Sequence, residues 1–335
     1  VSGRVNLRRL LRAVATVLLG AFGLFVFWFV RATGYDRSLP AVPTVTLIPQ
    51  GTSAREVADL LARDRVIASR DAFRLLLRLR GDETKMKAGE YRFEPHRTPD
   101  EVLHQLVAGG EQVAVWVTIP EGFTAQEIAS TLDARGVGEA AAFETYFLTT
   151  PLRIDGASSK SLEGFLFPET YLVPVGATPA AVAKMMTDQF RSELPRNAAA
   201  RAKHFHLSVP QVVTLASLVE REARADDERP LIAGVYYNRL RRGMPLQVDA
   251  TIEYTFPHHK DVITYADLAS DSAYNTYKHR GLPPTPIANP GRPSLWAAFY
   301  PRPSAYLYYV SKQNGHHAFS RTLAEHEANV ARYLR

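Results

Sequence analysis

SVPQVVTLASLVEREAR, residues 208–224, places two acids, Glu220 and Glu222, near the end of an otherwise apolar run. Ser208 and Gln211 have capping-box spacing, and Val212, Leu215, Ala216, Val219 and Ala223 recur at helical intervals. The pattern predicts a helix with one buried stripe. At about 100° per residue, Glu220 and Glu222 lie roughly 80° from the centre of that stripe, on opposite flanks, and Arg221 points nearly away from it. Either glutamate can then look into a cleft from rigid, half-buried backbone. A carboxyl so placed has its pKa raised by desolvation, as a general acid working near neutral pH requires. The alternative is a pair of boundary glutamates on an amphipathic helix, and periodicity does not choose between the two acids.

Outward from this helix, the surrounding region from about residue 130 to 330 reads as mixed α and β. Helices are expected over 140–147, 179–194 and 228–241, with a turn-rich EGFLFPETY at 163–171. From Gly281 to Arg302 there are six prolines and two glycines, which rules out regular structure over most of that stretch. The apolar Leu295–Phe299 and the strand-like AYLYYV at 305–310 fold it back onto the core.

Nearer the N-terminus an internal repeat appears. PQGTSAREVA at 49–58 returns 71 positions later as PEGFTAQEIA at 120–129, each copy preceded by a strand-like stretch (44–48 and 113–119). Strand, glycine turn and capped helix are therefore expected twice, with Ser53 and Glu56, then Thr124 and Glu127, at capping-box spacing. Thr98, Pro99 and Glu101 offer a third such start. Helix over 72–79 and strand over 89–93 complete a small α/β module, suited either to gripping an extended polymer or to serving as a spacer.

Before this module, Arg4, Arg8, Arg9 and Arg12 precede the eighteen uncharged residues Ala13–Val30, a run long enough to span a bilayer as a helix. The arginine asymmetry puts the N-terminus in the cytoplasm and residues 31–335 on the far side. The run ends in FWFVRATG, too bulky for a signal-peptide cleavage site, so an uncleaved anchor is expected. Residues 1–31 hold five arginines and no acid, leaving 35 basic against 34 acidic groups, so the net charge of +6 is a topology signal and carries no nucleic-acid footprint. There is no cysteine, which excludes disulfides and thiolate chemistry.

The ten histidines, His258 and His259 among them, make no HExxH spacing, and no metal site is expected. GxSxG, phosphate-loop and dinucleotide signatures are likewise missing, and no cofactor is expected. What remains is carboxylate, amide and hydroxyl chemistry suited to sugars: Glu163, Glu220, Glu222, Gln247, Asp249, Asn275, Tyr277 and His317.

These residues sit in segments that resemble the YceG-like (MltG-like) endolytic murein transglycosylases: EGFLFPETY at 163–171, LASLVEREA at 215–223, GVYYNRLRRGMPLQVDATIEY at 234–254, YNTYKHRGLPPTPIANPGRPSLWAAFYP at 274–301 and YLYYVSKQNGHHAFSRTLAEHEANV at 306–330. One departure is Ala250, where the family usually has proline in LQ-x-DPT.

The resemblance implies an α+β fold: cytoplasmic tip and transmembrane helix at 1–31, a linker at 32–43, a LysM-like α/β module at 44–115 and a larger mixed α+β catalytic domain at 116–335. It implies that Glu220 is the catalytic acid and base, with Glu163, Glu222, Gln247, Asn275, Tyr277 and His317 binding substrate or supporting the site. The implied reaction is non-hydrolytic cleavage of peptidoglycan glycan strands at the MurNAc-β-1,4-GlcNAc bond, leaving 1,6-anhydromuramic ends; the expected anchor adds that nascent strands at the inner membrane are the substrate. Peptidoglycan synthases are the candidate protein partners. A hydrolytic muramidase and a non-catalytic glycan-binding scaffold are the alternatives.

Overall fold

A computed structural model describes residues 7–34, 38–49, 51–110, 114–256, 260 and 263–334. Arg4, Val113, His258 and His259 lie outside the described residues. The chain begins with α1 (Leu7–Thr33), whose stretch Val14–Thr33 is long and apolar enough to cross a membrane. Its apolar side chains, Val17, Leu19, Phe22 and Phe27 among them, are exposed, so this helix is not the core of a soluble fold. At 1.5 Å per residue it is about 40 Å long, against about 30 Å of bilayer hydrocarbon.

Two compact units follow from the packing: residues 1–114 with 174–177, and residues 115–173 with 178–335. In the first, β1 (Thr44–Ile48) leads through α2 (Ala54–Arg63) and α3 (Arg70–Arg80) to β2 (Gly89–Phe93), then α4 (Pro99–Ala108). β1 and β2 pair antiparallel, Thr44 opposite Phe93 and Ile48 opposite Gly89. The capping boxes Ser53/Glu56 and Thr98/Glu101 are formed, and Gly81, at φ 68°, ends α3 in the left-handed region open to glycine. Val57, Leu61, Phe73, Leu77, Tyr91 and Leu106 fill the core between helices and sheet.

The second unit opens with β3 (Ala114–Thr118), the glycine turn at Gly122 and α5 (Ala125–Ala134), whose Thr124/Glu127 capping box repeats the first copy's. α6 (Ala140–Thr149), a short hairpin β4 (Arg153–Ile154) and β5 (Ala157–Ser158), and β6 (Thr170–Pro174) come next, with β6 paired to β3. Then follow α7 (Pro179–Glu193), α8 (Ala198–His204), α9 (Val209–Glu222), a 3-10 turn at Asp226–Glu228, α10 (Arg229–Arg241), α11 (Asp249–Glu253) and α12 (Tyr265–Leu268). α13 (Arg292–Phe299), the hairpin β7 (Tyr308–Ser311) and β8 (His317–Ser320), and α14 (Leu323–Tyr333) complete a mixed α+β chain. Among the described residues each sheet is two-stranded.

α9 is the axis of this unit. Its Ser208/Gln211 capping box is formed, but burial is not confined to one stripe: Val213, Thr214, Ser217 and Leu218 are enclosed along with Val212, Leu215, Ala216 and Val219. The reason is that α13 runs along one side and α8, α10 and α11 touch others. A helix surrounded in this way buries its small polar residues too, provided they are satisfied. The Ser217 hydroxyl donates to the Thr214 carbonyl and accepts from the N–H of Ile287.

Candidate active site

The last turn of α9 separates the two acids. Glu220, 6 % exposed at its side chain, accepts from Arg229 Nη1 at 3.1 Å and from the backbone N–H of Gly291 at 2.9 Å. Arg229 also donates to Asp226 at 2.9 Å and to Ser294 Oγ, which anchors the start of α10 to α9 and α13. Both oxygens of Glu220 are thus taken by groups that hold helices together. A Cβ at Gly291 would lie 2.0 Å from the carboxyl carbon of Glu121, so a second carboxylate crowds this corner. Burial, then the charge of Glu220, pushes the Glu121 carboxyl up.

Glu222 has other surroundings. It is half-buried, and its Oε2 accepts from the Tyr309 hydroxyl at 3.0 Å. Tyr309 Oη lies 2.8 Å from Tyr236 Oη. Burial raises the Glu222 carboxyl to about 7; the Tyr309 bond opposes that rise, and the charge of Asp249 adds to it. Burial and the neighbouring Glu222 hold the Tyr309 hydroxyl protonated, so it serves as a donor. Here is a half-buried carboxyl that burial moves toward neutrality and that a tyrosine hydroxyl holds in place. Arg221, exposed between the two acids, pairs with Glu253 at 3.1 Å.

The remaining expected residues divide into those near Glu222 and those that tie the fold. Tyr277 donates to Asp249, and burial together with Asp249 pushes its hydroxyl up. Gln247 is exposed, accepts from Arg239 Nη1 at 3.2 Å and has φ 54°. That left-handed backbone is costly for a residue with a Cβ and is held by the Gln247 N–H donating to the Thr276 carbonyl at 3.1 Å. Ala250 stands in the first turn of α11, where alanine and proline both continue a helix.

Asn275, fully buried, donates to the carbonyls of Leu268 and Ser270 and accepts from the N–H groups of Tyr277 and Lys278. It shapes the loop that carries Tyr277. Glu163 is buried far from solvent, accepting from the Ala125 N–H at the start of α5, from Asn289 Nδ2 at 2.9 Å and from Tyr254 Oη at 3.1 Å. Burial raises it to about 7 despite these donors.

His317 reaches Glu222 only through intermediaries. Its N–H donates to Glu228 and its Nδ1 lies 2.8 Å from Glu228 Oε2, while its ring meets the Tyr309 ring edge-on at 5.3 Å. Burial raises the Glu228 carboxyl, but the His317 bonds outweigh it and hold the group below the ordinary glutamate range.

Sequence reasoning missed Tyr236, Tyr309, Arg229, Glu228 and Glu121. The signal for Glu121 lay in the repeat, where the first copy's Gln50 gives way to an acid. For the others, helical and strand periods give direction but not the partner brought by a distant segment. Among the described residues no group of three or more His, Cys, Asp or Glu side chains could hold a metal ion.

The profile of the YceG-like family matches residues 46–332, nearly the whole of the chain beyond α1. The chain belongs to the YceG-like family. It is 34 % identical over 310 residues to the endolytic murein transglycosylase of Bacillus subtilis, covering 86 % of this chain and 84 % of that one. The endolytic murein transglycosylase of Streptococcus pneumoniae serotype 2 is 29 % identical over 356 aligned positions, and the match takes in 96 % of this chain but 64 % of the pneumococcal one. A crystal structure of a yceG-like protein of Listeria monocytogenes superimposes with a TM-score of 0.56 at 30 % identity, covering 85 % of this chain and 98 % of that one. The segments carrying Glu163, Glu220, Glu222, Gln247, Asn275, Tyr277 and His317 all fall inside the region matched by the YceG-like profile.

Proposed function

We propose that this YceG-like chain is an endolytic murein transglycosylase that cuts the MurNAc-β-1,4-GlcNAc bond of peptidoglycan without water, and that Glu222 carries the proton. The observation behind the choice of residue is the half-buried Glu222 carboxyl, raised to about 7 beside the Tyr309 hydroxyl. A general acid must hold its proton at working pH and reach the leaving oxygen. Protonated Glu222 gives its proton to the glycosidic oxygen of the departing GlcNAc as the C1–O bond breaks. The resulting carboxylate then takes the proton of the muramic C6 hydroxyl while that oxygen bonds to C1, which closes the 1,6-anhydro ring and returns Glu222 to its starting state. Intramolecular attack gains its rate from pre-orientation.

Glu220, to which the resemblance assigns this role, is bound on both oxygens by Arg229 and Gly291 and in this proposal sets the end of α9. Asp249 and Tyr277, beside Glu222, and Gln247 serve as ring-binding groups, Asn275 shapes the loop of Tyr277, and His317 with Glu228 steadies Tyr309. Glu163 is a latch within the domain.

α1 serves as a single-pass anchor in the inner membrane, N-terminus in the cytoplasm, with residues 32–43 as linker and 116–335 as the catalytic domain outside it. Residues 44–115 are proposed as a LysM-like grip on glycan; the β1-α2-α3-β2 order with its antiparallel strand pair supports that reading. An enzyme anchored there meets strands as they are polymerised, which makes peptidoglycan synthases its candidate partners.

The test is mass spectrometry of products from purified peptidoglycan strands incubated with the full chain, E220Q and E222Q. Anhydromuramic ends made by the wild type and lost in E222Q are expected. Loss in E220Q with retention in E222Q returns the proton to Glu220. Hydrated muramic ends mark a muramidase, and binding to sacculi with no soluble product marks a scaffold.

A further inference from the structure

A cavity of about 1500 Å³ opens elsewhere in the second unit, between α8, the start of α9, α10 and the proline-rich stretches 281–286 and 301–304. Its lining includes none of Glu222, Tyr309 and Tyr236. At 100° per residue, Gly234, Tyr237, Asn238 and Arg241 of α10 line it from one face, whereas Tyr236, joined to Glu222 through Tyr309, lies on the opposite face. On α9 its lining stops at Thr214, eight residues or about 12 Å before Glu222.

The lining carries Lys160, Arg201, Arg241 and Arg302 together with His204 and His206, and not one aspartate or glutamate. Arg201 is fixed, donating to the Phe299 carbonyl at 2.9 Å and lying over the Phe205 and Tyr300 rings. Lys160 and Arg302 are exposed and have no ion-pair partner among the described residues. Cations gathered without counter-charge call for an anionic occupant. The volume exceeds the roughly 300–1,000 Å³ of a small-molecule site and leaves room for a segment several units long.

The walls distinguish among anions. Six lining residues are prolines, which present carbonyls and no N–H, and at Gly234 a Cβ would lie 2.7 Å from the Arg302 carbonyl oxygen, so the glycine lets one of these walls close in. A phosphate polymer needs donors only. A peptide needs acceptors for its own N–H groups as well as cations for its carboxylates.

We propose that this groove is a second binding site that takes the carboxylate-bearing stem peptide carried by muramic acid in peptidoglycan. The choice of occupant rests on the murein reading above. Such a site holds a peptide-bearing strand on the far side of α10 while another part of the strand lies at Glu222, so peptide substitution becomes a determinant of where the strand is cut.

The experiment is fluorescence anisotropy of a labelled synthetic stem peptide titrated with the full chain in detergent micelles. Saturable binding is expected, weakened about tenfold or more by K160E/R302E with an unchanged melting midpoint, and weakened likewise when the peptide carboxylates are esterified. No binding by the wild type, equal binding by the variant or the ester, or preference for poly(glycerol phosphate) would overturn the assignment. Because the titration needs no turnover, a chain that binds the peptide but releases no glycan fragments overturns the enzymatic reading and leaves the groove standing.

Discussion

Replacing Tyr309 with phenylalanine removes one hydroxyl from two places at once. Glu222 loses its 3.0 Å donor and Tyr236 loses its 2.8 Å partner. A hydrogen bond to a charged group contributes about 1.5–3 kcal/mol, and a protonated carboxyl retains part of it. A differential of about 1.4 kcal/mol moves a pKa by about one pH unit. The carboxylate is the form that loses its donor, so the Glu222 carboxyl moves upward, from about 7 toward about 8. Protonated Glu222 then survives to higher pH, and the alkaline limb of the kcat/KM profile for release of anhydromuropeptides shifts up by the same amount.

Stability changes for a different reason. The buried Tyr236 hydroxyl is left without its partner, at a cost of about 1–3 kcal/mol. The double variant Y236F/Y309F removes that orphan, so it recovers stability while keeping the shifted limb. A limb that stays in place, or moves to lower pH, in Y309F would refute the assignment of the proton to Glu222.

Other outcomes follow from the same contacts. Arg229→Met leaves the enclosed Glu220 carboxylate without its ion-pair partner and costs about 3–5 kcal/mol in denaturant unfolding, well above the cost of E220Q. Glu163→Ala strips the acceptor from the Ala125 N–H, Asn289 and Tyr254, destabilising the second unit by about 3 kcal/mol. The folded Glu163 binds its proton more tightly than the unfolded chain does, so its contribution is greatest below about pH 4.5 and is lost as pH rises through about 7; E163Q flattens the melting midpoint across that window. Gly164→Ala places a Cβ 2.4 Å from the Pro286 ring on a backbone at φ 88°, and we expect it to lower the melting midpoint more than any of these.

Much of the local structure is legible in the sequence because its causes are local. The repeat, its two glycine turns and four capping boxes depend on residues three or four apart, and so does the position of α9. The inequality of Glu220 and Glu222 is not legible, because both project at similar angles from the stripe and the groups that separate them come from elsewhere. Arg229 arrives on the next helix, Gly291 from a loop 71 residues on, and Tyr309 from a strand 87 residues on. The same holds for the all-round burial of α9, where the period of apolar residues marks one face and the polar Thr214 and Ser217 read as another. Asn275 and Glu163 stand out by residue type as binding or supporting groups, and their full burial and hydrogen bonds to the fold become visible only in three dimensions.

The Glu163 latch also constrains the order in which the chain can fold. Its donors lie 38, 91 and 126 residues away in sequence, at Ala125, Tyr254 and Asn289. Contacts of that span carry the loop-closure cost before they return any stability, which slows folding. A chain delivered from its N-terminus therefore holds an incomplete latch, and an α9 without its α13 neighbour, until almost nine-tenths of its length has emerged. The second unit therefore becomes cooperative only once its C-terminal third is present.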